Sequence, residues 1–600
     1  MKITLCIGAL FAGATVNAIT PAEPGTPAFL KHRPVFHFLA RKNWMNDPCA
    51  PYYDDATGLY HLFYQFNTQQ TVWGNMTWGH AVSHDQATWI DYPDALKNED
   101  ANDFLGVFSG FAARKAVNGK DTVFYTGVTK LPISFKLPYL FGEHVNYATT
   151  SDGGKTWQKG SKPVIAEPPS GLNVTGWRDP YPFDSPALDA IYRVSNGHYL
   201  ITAGGIHDVG PRIFLYHSND YINWEYKGFL LSQEKNTSFS PFSGSWGYNF
   251  ETTNFIELTD EEGKHHNVMM FAAEGIPNRY PMWAIGTLEA HDNCGDNSNG
   301  LFQPKMVGVS EYSSWYANAV YVDPKTNKHV VIGWITEDNG FTDEQPQGWN
   351  GILSVPREVS IAIVKDIYDP SDKFNAPGDY LVTNTKTLNN GKVVKTIKTL
   401  GIKAYESIKL LRGDQVETLN GPTNVVDEKV LDTKSKSFEL YAEVTSFQSG
   451  SKVGFAVRRS DDNTEHTTIV YDDTTKKIVI NRSASSTGQC DTFTATAKPN
   501  SANTEGFFHL FDKVNQQGQV SREPLRFNIF VDVSVVEVFV NDRFALSARI
   551  YPCESASSAS NGISLVGPGT FENVKVWGNA KHAWPETRTV SKQELYYLVV

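Results

Sequence analysis

The chain is poor in basic residues: 53 Lys and Arg stand against 65 Asp and Glu, a formal net charge of −12. Without an excess or a tract of positive charge it has no electrostatic footprint for nucleic acid, so no nucleic-acid partner is expected. It holds only five cysteines in 600 residues, too few to serve as a disulfide scaffold. Paired Cys-x-x-Cys and His-Glu-x-x-His are both missing, so neither a metal site nor a cofactor is expected. No apolar run is long enough to span a bilayer. Charged residues make up only 20% against 40% hydrophobic, which excludes a disordered chain and supplies a large packed core. The length calls for roughly two to four domains.

Residues 1–18 read as an address. Lys2 supplies the positive start, Ile3 to Phe11 the apolar stretch, and Val16-Asn17-Ala18 a small-residue cleavage site. A secreted protein is therefore expected. The N-glycosylation triplets beginning at Asn75, Asn173, Asn236 and Asn481 agree with it. With Cys6 in the leader, Cys49, Cys294, Cys490 and Cys553 remain, and spacing does not tell their pairing. Oligomeric state is equally open.

Aromatics are abundant: 14 Trp, 27 Tyr and 35 Phe. Some of them recur at fixed intervals. Ser83–Trp89, Ser151–Trp157 and Ser218–Trp224 each place a Trp six residues after a Ser, with an Asp between, and their starts are 68 and 67 residues apart. Each reads as a polar turn capping a hairpin, with the Trp closing over it. A second series consists of short β-branched or aromatic strands at Tyr60–Tyr64, Thr122–Tyr125, His198–Thr202, Val268–Ala272 and His329–Gly333. Intervals of roughly 60 to 75 residues suit one four-stranded blade each, which predicts an all-β chain beginning with a five-bladed β-propeller over 19–365. An irregular pair of β-sandwiches is the competing reading. Beyond the Asp-, Pro- and Lys-rich stretch 362–383, strands at Ser437–Val444, Lys452–Val457, Thr467–Tyr471, Ile478–Asn481 and Leu525–Ala548 predict a linker and C-terminal β-sandwich over 366–600.

Roughly 13 to 19 residues before the five repeated strands stand Asp47, Ser109, Asp179, Glu251 and Tyr316. Equivalent positions in a propeller converge on its central channel. Single acids in solvated loops are the ordinary fate of Asp and Glu; matching positions in three blades argue against it here. Three carboxylates around one cavity repel, a costly arrangement that serves chemistry. Carboxylates without a metal fit glycoside cleavage, in which one acid protonates the leaving oxygen while another attacks the anomeric carbon. Aromatics near these acids, Trp44, Trp73, Trp78, Phe108, Trp177, Trp315 and Tyr316, are candidate sugar walls, although any one of them is more often core than platform.

Several blocks carry a resemblance. Trp44-Met45-Asn46-Asp47-Pro48, Phe108-Ser109-Gly110, Trp177-Arg178-Asp179-Pro180 and Phe250-Glu251-Thr252 resemble the signature blocks of glycoside hydrolase family 32, the invertases, inulinases, levanases and fructosyltransferases. Gly348-Trp349-Asn350-Gly351, and Val531-Asp532 through to Pro552, resemble its later blocks. The resemblance implies Asp47 as nucleophile, Glu251 as general acid/base and Asp179 as transition-state stabiliser. Asn46, Trp73, Phe108, Ser109, Arg178, Glu274 and Tyr316 would form the substrate shell. Arg178 is expected to keep its neighbour Asp179 charged. Cys49-Ala50 and Phe250-Glu251-Thr252, with Gly204-Gly205-Ile206-His207 and Ala273-Glu274-Gly275, look most like the fungal fructosyltransferase-type members. The implied function is a retaining β-fructofuranosidase acting on sucrose or fructans. Fructosyl transfer is the main alternative, followed by a sialidase, for which Ser151–Trp157 resembles an Asp-box turn, and a non-catalytic sugar-binding propeller.

Overall fold

The computed structural model describes residues 20–585, apart from 277, 291–299, 343, 489–496 and 555–558, and also Arg588. The expected leader, Cys294 and Cys490 lie outside the described residues. Cys553 is disulfide-bonded, whereas Cys49 is a buried free thiol.

The chain folds as an N-terminal propeller followed by a C-terminal β-sandwich. Five antiparallel sheets, I to V, follow one another, each opened by an inner strand: Asn43–Asp54, Gly106–Ala113, Val174–Asp184, Asn249–Thr259 and Trp315–Asp323. Each inner strand packs against the next and the fifth packs on the first, closing a ring. A parallel pairing of Asn43 and Trp44 with Trp349 and Asn350 ties the end of the ring to its beginning. The second strand of each sheet is one of the repeated strands; in sheet IV it is His265–Glu274, whose centre is wholly buried. All three Trp-bearing repeats are the turns between the third and fourth strands of sheets I to III. In each the Asp carboxylate accepts backbone N–H groups, from Ala87 and Thr88, from Thr156, and from Ile222 and Asn223. The Trp157 and Trp224 indoles donate back to carbonyls of their own turns. The resemblance of Ser151–Trp157 to an Asp-box thus reports a hairpin device common to three sheets.

Sheet V continues outward: Arg357–Tyr368 pairs with Val393–Ala404, which pairs with Leu381–Thr387. The sandwich follows, two antiparallel sheets around Phe438, Phe455, Phe527, Phe571 and their aliphatic neighbours. Leu525–Ala548 is a meander of three strands, Leu525–Asp532, Val535–Val540 and Phe544–Arg549. Two turns separate them, at Val533 and at Asn541-Asp542, all three with positive φ.

Propeller and sandwich share a continuous apolar cluster that includes Phe36, Phe38, Trp315, Trp349, Phe530 and Phe539. A charged network is sealed beside it. Asp532 accepts the backbone N–H groups of Val35, Phe36 and His37 at 2.8, 2.8 and 3.1 Å. The His37 ring sits between Asp532 and Glu537, at 2.8 and 2.9 Å. Glu537 also pairs with Arg357, whose guanidinium reaches Glu311 as well.

Candidate active site

Every inner strand is interrupted where the sequence placed its candidate residue. The register with the second strand shifts between Met45 and Pro48, between Val107 and Gly110, between Arg178 and Tyr181, between Glu251 and Asn254, and between Tyr316 and Asn318. Asp47, Ser109 and Asp179 lie inside these bulges, and Glu251 and Tyr316 stand at their edges. A bulge bends the strand and re-aims a side chain that strict alternation would fix. The cost is visible: Asp179, Thr252 and Ala317 hold φ of 62°, 44° and 50°, each worth on the order of 1–3 kcal/mol of strain. In sheet II, Gly110 permits the tight approach, since a Cβ there would stand 1.9 Å from the Phe124 carbonyl oxygen.

The five strands surround a cavity of about 360 Å³ lined by Asp47, Asp179, Glu251, Asn46, Trp73, Phe108, Arg178, Glu274 and Tyr316. The candidate substrate shell is all among them except Ser109, which is buried. Of the aromatic wall candidates Trp44 also lines the cavity, whereas Trp78, Trp177 and Trp315 are fully buried in the apolar cores of the sheets. Ser109 Oγ donates to Asp47 Oδ2 at 2.5 Å, and Asn46 Nδ2 donates to Oδ1 at 2.9 Å. The Trp44 indole in turn fixes Asn46 at 2.8 Å. Both donors favour the Asp47 carboxylate form, yet burial, helped by the Glu251 charge, outweighs them and leaves its pKa raised.

Asp179 is nearly inaccessible, and its Oδ2 accepts the Thr252 N–H at 2.8 Å. Burial drives its pKa well above the ordinary value, with Glu251 and Asp47 adding to the rise. Arg178 opposes that rise, as expected of a neighbouring cation, but does not prevail. Its guanidinium is committed elsewhere: Nε donates to Glu143 at 2.6 Å and Nη1 to Glu251 at 3.2 Å. Glu251 also accepts the Tyr316 hydroxyl at 2.8 Å, so both carboxylate oxygens are held. Glu274, held by Asn249 at 3.0 Å, is raised to about 7, first by burial and then by the Glu251 charge.

Sequence reading missed several participants. Gln65 reaches Asp47 at 3.3 Å from the second strand of sheet I. Trp334, on the second strand of sheet V, meets Trp44 edge-on, with ring centres 5.7 Å apart. Glu143 anchors Arg178 from an outer strand of sheet II. Arg279, beyond the second strand of sheet IV, pairs with Glu274 at 3.0 Å. Counting arginines in the inner blocks alone finds Arg178 and omits this second one. Among the described residues no cluster of His, Cys, Asp and Glu is arranged to hold a metal ion.

Family comparison agrees with this geometry. Residues 37–370 match the model of the glycosyl hydrolases family 32 N-terminal domain, and residues 407–578 match that of the family 32 C-terminal domain. The chain belongs to glycosyl hydrolase family 32. It is therefore a glycoside hydrolase acting on O-glycosyl bonds, and the sialidase reading falls. An acid β-fructofuranosidase of Solanum lycopersicum is 26% identical over 568 residues, 91% of this chain and 81% of the relative. Among solved structures, an Aspergillus kawachii β-fructofuranosidase complexed with glycerol superimposes with a TM-score of 0.83 at 28% identity, covering 98% of this chain and 100% of that one. A fructosyltransferase from A. japonicus gives the same TM-score of 0.83 and the same 28%, covering 95% and 99%.

Proposed function

We propose that this family 32 enzyme is a retaining β-fructofuranosidase that releases terminal β-D-fructofuranosyl units from sucrose or fructans. The observation that carries the reading is the convergence of Asp47, Asp179 and Glu251, from three inner strands, on one cavity. In the first step the Asp47 carboxylate attacks the anomeric carbon while Glu251 gives its proton to the departing oxygen. The C–O bond breaks as an ester to Asp47 forms. In the second step Glu251, now a carboxylate, takes a proton from water; the hydroxyl displaces Asp47 and fructose leaves with retained configuration. Asp179 faces the ring and stabilises positive charge in both transition states.

Transfer to a sugar hydroxyl in place of water is the second reading, and likeness to a fructosyltransferase at the same TM-score favours keeping it. The catalytic unit is the propeller, 19–365, since every cavity-lining residue falls between 44 and 334. Secretion is supported by the sequons, of which Asn75, Asn173 and Asn236 are exposed. Incubation with sucrose, inulin and sialyllactose, with the products resolved, tests the reading. Fructose or fructo-oligosaccharides are expected from the first two and no sialic acid from the third. An inert protein with all three cavity carboxylates intact would support the non-catalytic alternative.

A further inference from the structure

The inner strands run from the catalytic cavity to the far face of the propeller, where a second cavity of about 470 Å³ opens. Four of the five strands line both, yet no residue is shared. Sheet I gives Asn46 and Asp47 to the first and Tyr52 and Tyr53 to the second; sheet III gives Arg178 and Asp179 to one and Tyr181 to the other. Sheets II and V repeat the division, with Phe108 and Tyr316 at the catalytic end and Phe111 and Tyr321 at the far end. The far cavity exceeds the catalytic one, about 360 Å³, and falls within the roughly 300–1,000 Å³ of small-molecule sites.

Its walls are held in place. The Tyr52 ring lies on His61, with centres 4.6 Å apart, and the Arg114 guanidinium caps it at 4.8 Å, so Tyr52 is floor. Tyr181 and Tyr321 are only half-buried. Phe111 meets the Tyr181 ring edge-on at 5.0 Å, and the Tyr321 hydroxyl donates to Gln86. Sheets III and V are not neighbours in the ring, so these two aromatics stand on different sides of the axis. Burial alone raises the Tyr181 pKa, and among the described residues its hydroxyl has no hydrogen-bond partner. A donor and an acceptor are thus unused at the wall. Charge is balanced there: Arg114 pairs with Asp54 at 2.9 Å and Asp121 at 3.1 Å, and the exposed Lys115 and Asp55 are of opposite sign. Neither an anion nor a cation is favoured; an uncharged ligand with apolar faces and polar edges is.

We propose that this second cavity is a non-catalytic binding site for a pyranose unit of a neutral glycan, held between the Tyr181 and Tyr321 rings. The flat C–H face of such a sugar packs on an aromatic side chain, while hydroxyls at its edge meet the Tyr181 phenol and the balanced charges of the rim. The test titrates the whole protein with cellopentaose, maltopentaose and an oligogalacturonate by calorimetry; none of the three carries a fructosyl unit. At least one neutral oligomer should bind without inhibiting sucrose hydrolysis, and the one preferred distinguishes a β-linked from an α-linked source. The anionic oligomer should not bind. Tyr181→Ala and Tyr321→Ala should each weaken binding roughly 10-fold or more, and Tyr181→Phe, which keeps the ring, less than about threefold. All three variants should keep wild-type kcat/KM on sucrose to within about twofold, because the far cavity shares no residue with the catalytic one. Binding of neither neutral oligomer, binding that competes with sucrose, or preference for oligogalacturonate would overturn the proposal. So would unchanged affinity in the folded alanine variants. Calorimetry needs no turnover, so the site stands or falls apart from the fructosidase reading.

Discussion

Two clusters of buried charge set the two halves of this molecule apart. At the seam between propeller and sandwich, Glu311, Asp532 and Glu537 meet Arg357 and His37, and all five side chains are out of solvent. Asp532 alone accepts three backbone N–H groups and the Ser437 hydroxyl. In the cavity, Asp47, Asp179, Glu251 and Glu274 share Arg178 and Arg279, and Arg178 is further divided with Glu143. Arg357 and His37 hold Glu537 below the ordinary carboxylate range despite burial, whereas Glu311, which has Arg357 but not His37, is raised by burial. Asp47, Asp179 and Glu274 are all raised. The same residue types thus hold two parts together in one place and are left short of positive charge in the other. A group kept away from its ordinary ionisation beside open space is one that a substrate can put to use.

Substitutions separate the two clusters, and the largest effect belongs to the cavity. Asp47→Ala should lower turnover of sucrose on the order of 10³-fold or more while the melting temperature stays close to wild type. Near-normal activity in the folded variant would remove Asp47 from the mechanism. Glu251→Ala should lose on the order of 10²- to 10⁴-fold on sucrose, but far less on an aryl fructoside whose leaving group needs no proton. Added azide should restore its turnover, by attacking the ester that water no longer can. Asp179→Ala should show neither behaviour; azide rescue of Asp179→Ala and not of Glu251→Ala would reverse the two roles.

The seam should answer in the opposite way. Arg357→Ala leaves Glu311 and Glu537 buried without their shared cation and should cost about 3–5 kcal/mol of stability, measured by denaturant unfolding. Activity per folded molecule should be unchanged. A smaller effect is expected at His37, whose two carboxylate partners raise its pKa although burial opposes them. Its stabilisation is complete below the unfolded value of about 6.5 and is lost as pH rises through the higher folded value. His37→Gln should therefore flatten the fall in melting temperature on the alkaline side. An unchanged slope would mean that this histidine does not titrate with folding.

Much of this could be read from the chain, for identifiable reasons. The repeated second strands are legible because their centres are buried on both faces and so read as short apolar runs. The three carboxylates are legible because one position recurs relative to those strands. The bulges that aim them are not, since a register shift depends on how two strands pair and leaves no periodic trace. Nor are Glu143, Gln65 and Arg279, which reach the site from elements outside the inner strands. For Arg178 the sequence offered its neighbour Asp179 as partner, whereas the bulge turns the guanidinium towards Glu143 and Glu251. Adjacency in sequence is a poor guide to pairing where a strand is kinked.

The most direct test of the account is to trap the intermediate. Glu251→Ala mixed with an aryl β-fructofuranoside, quenched in acid and digested, should yield a peptide containing Asp47 that is heavier by one fructosyl unit. The modification should map to the Asp47 carboxylate, and azide added before the quench should remove it. An unmodified Asp47 peptide, together with initial release of α-fructose by the wild type, would contradict a covalent mechanism on Asp47.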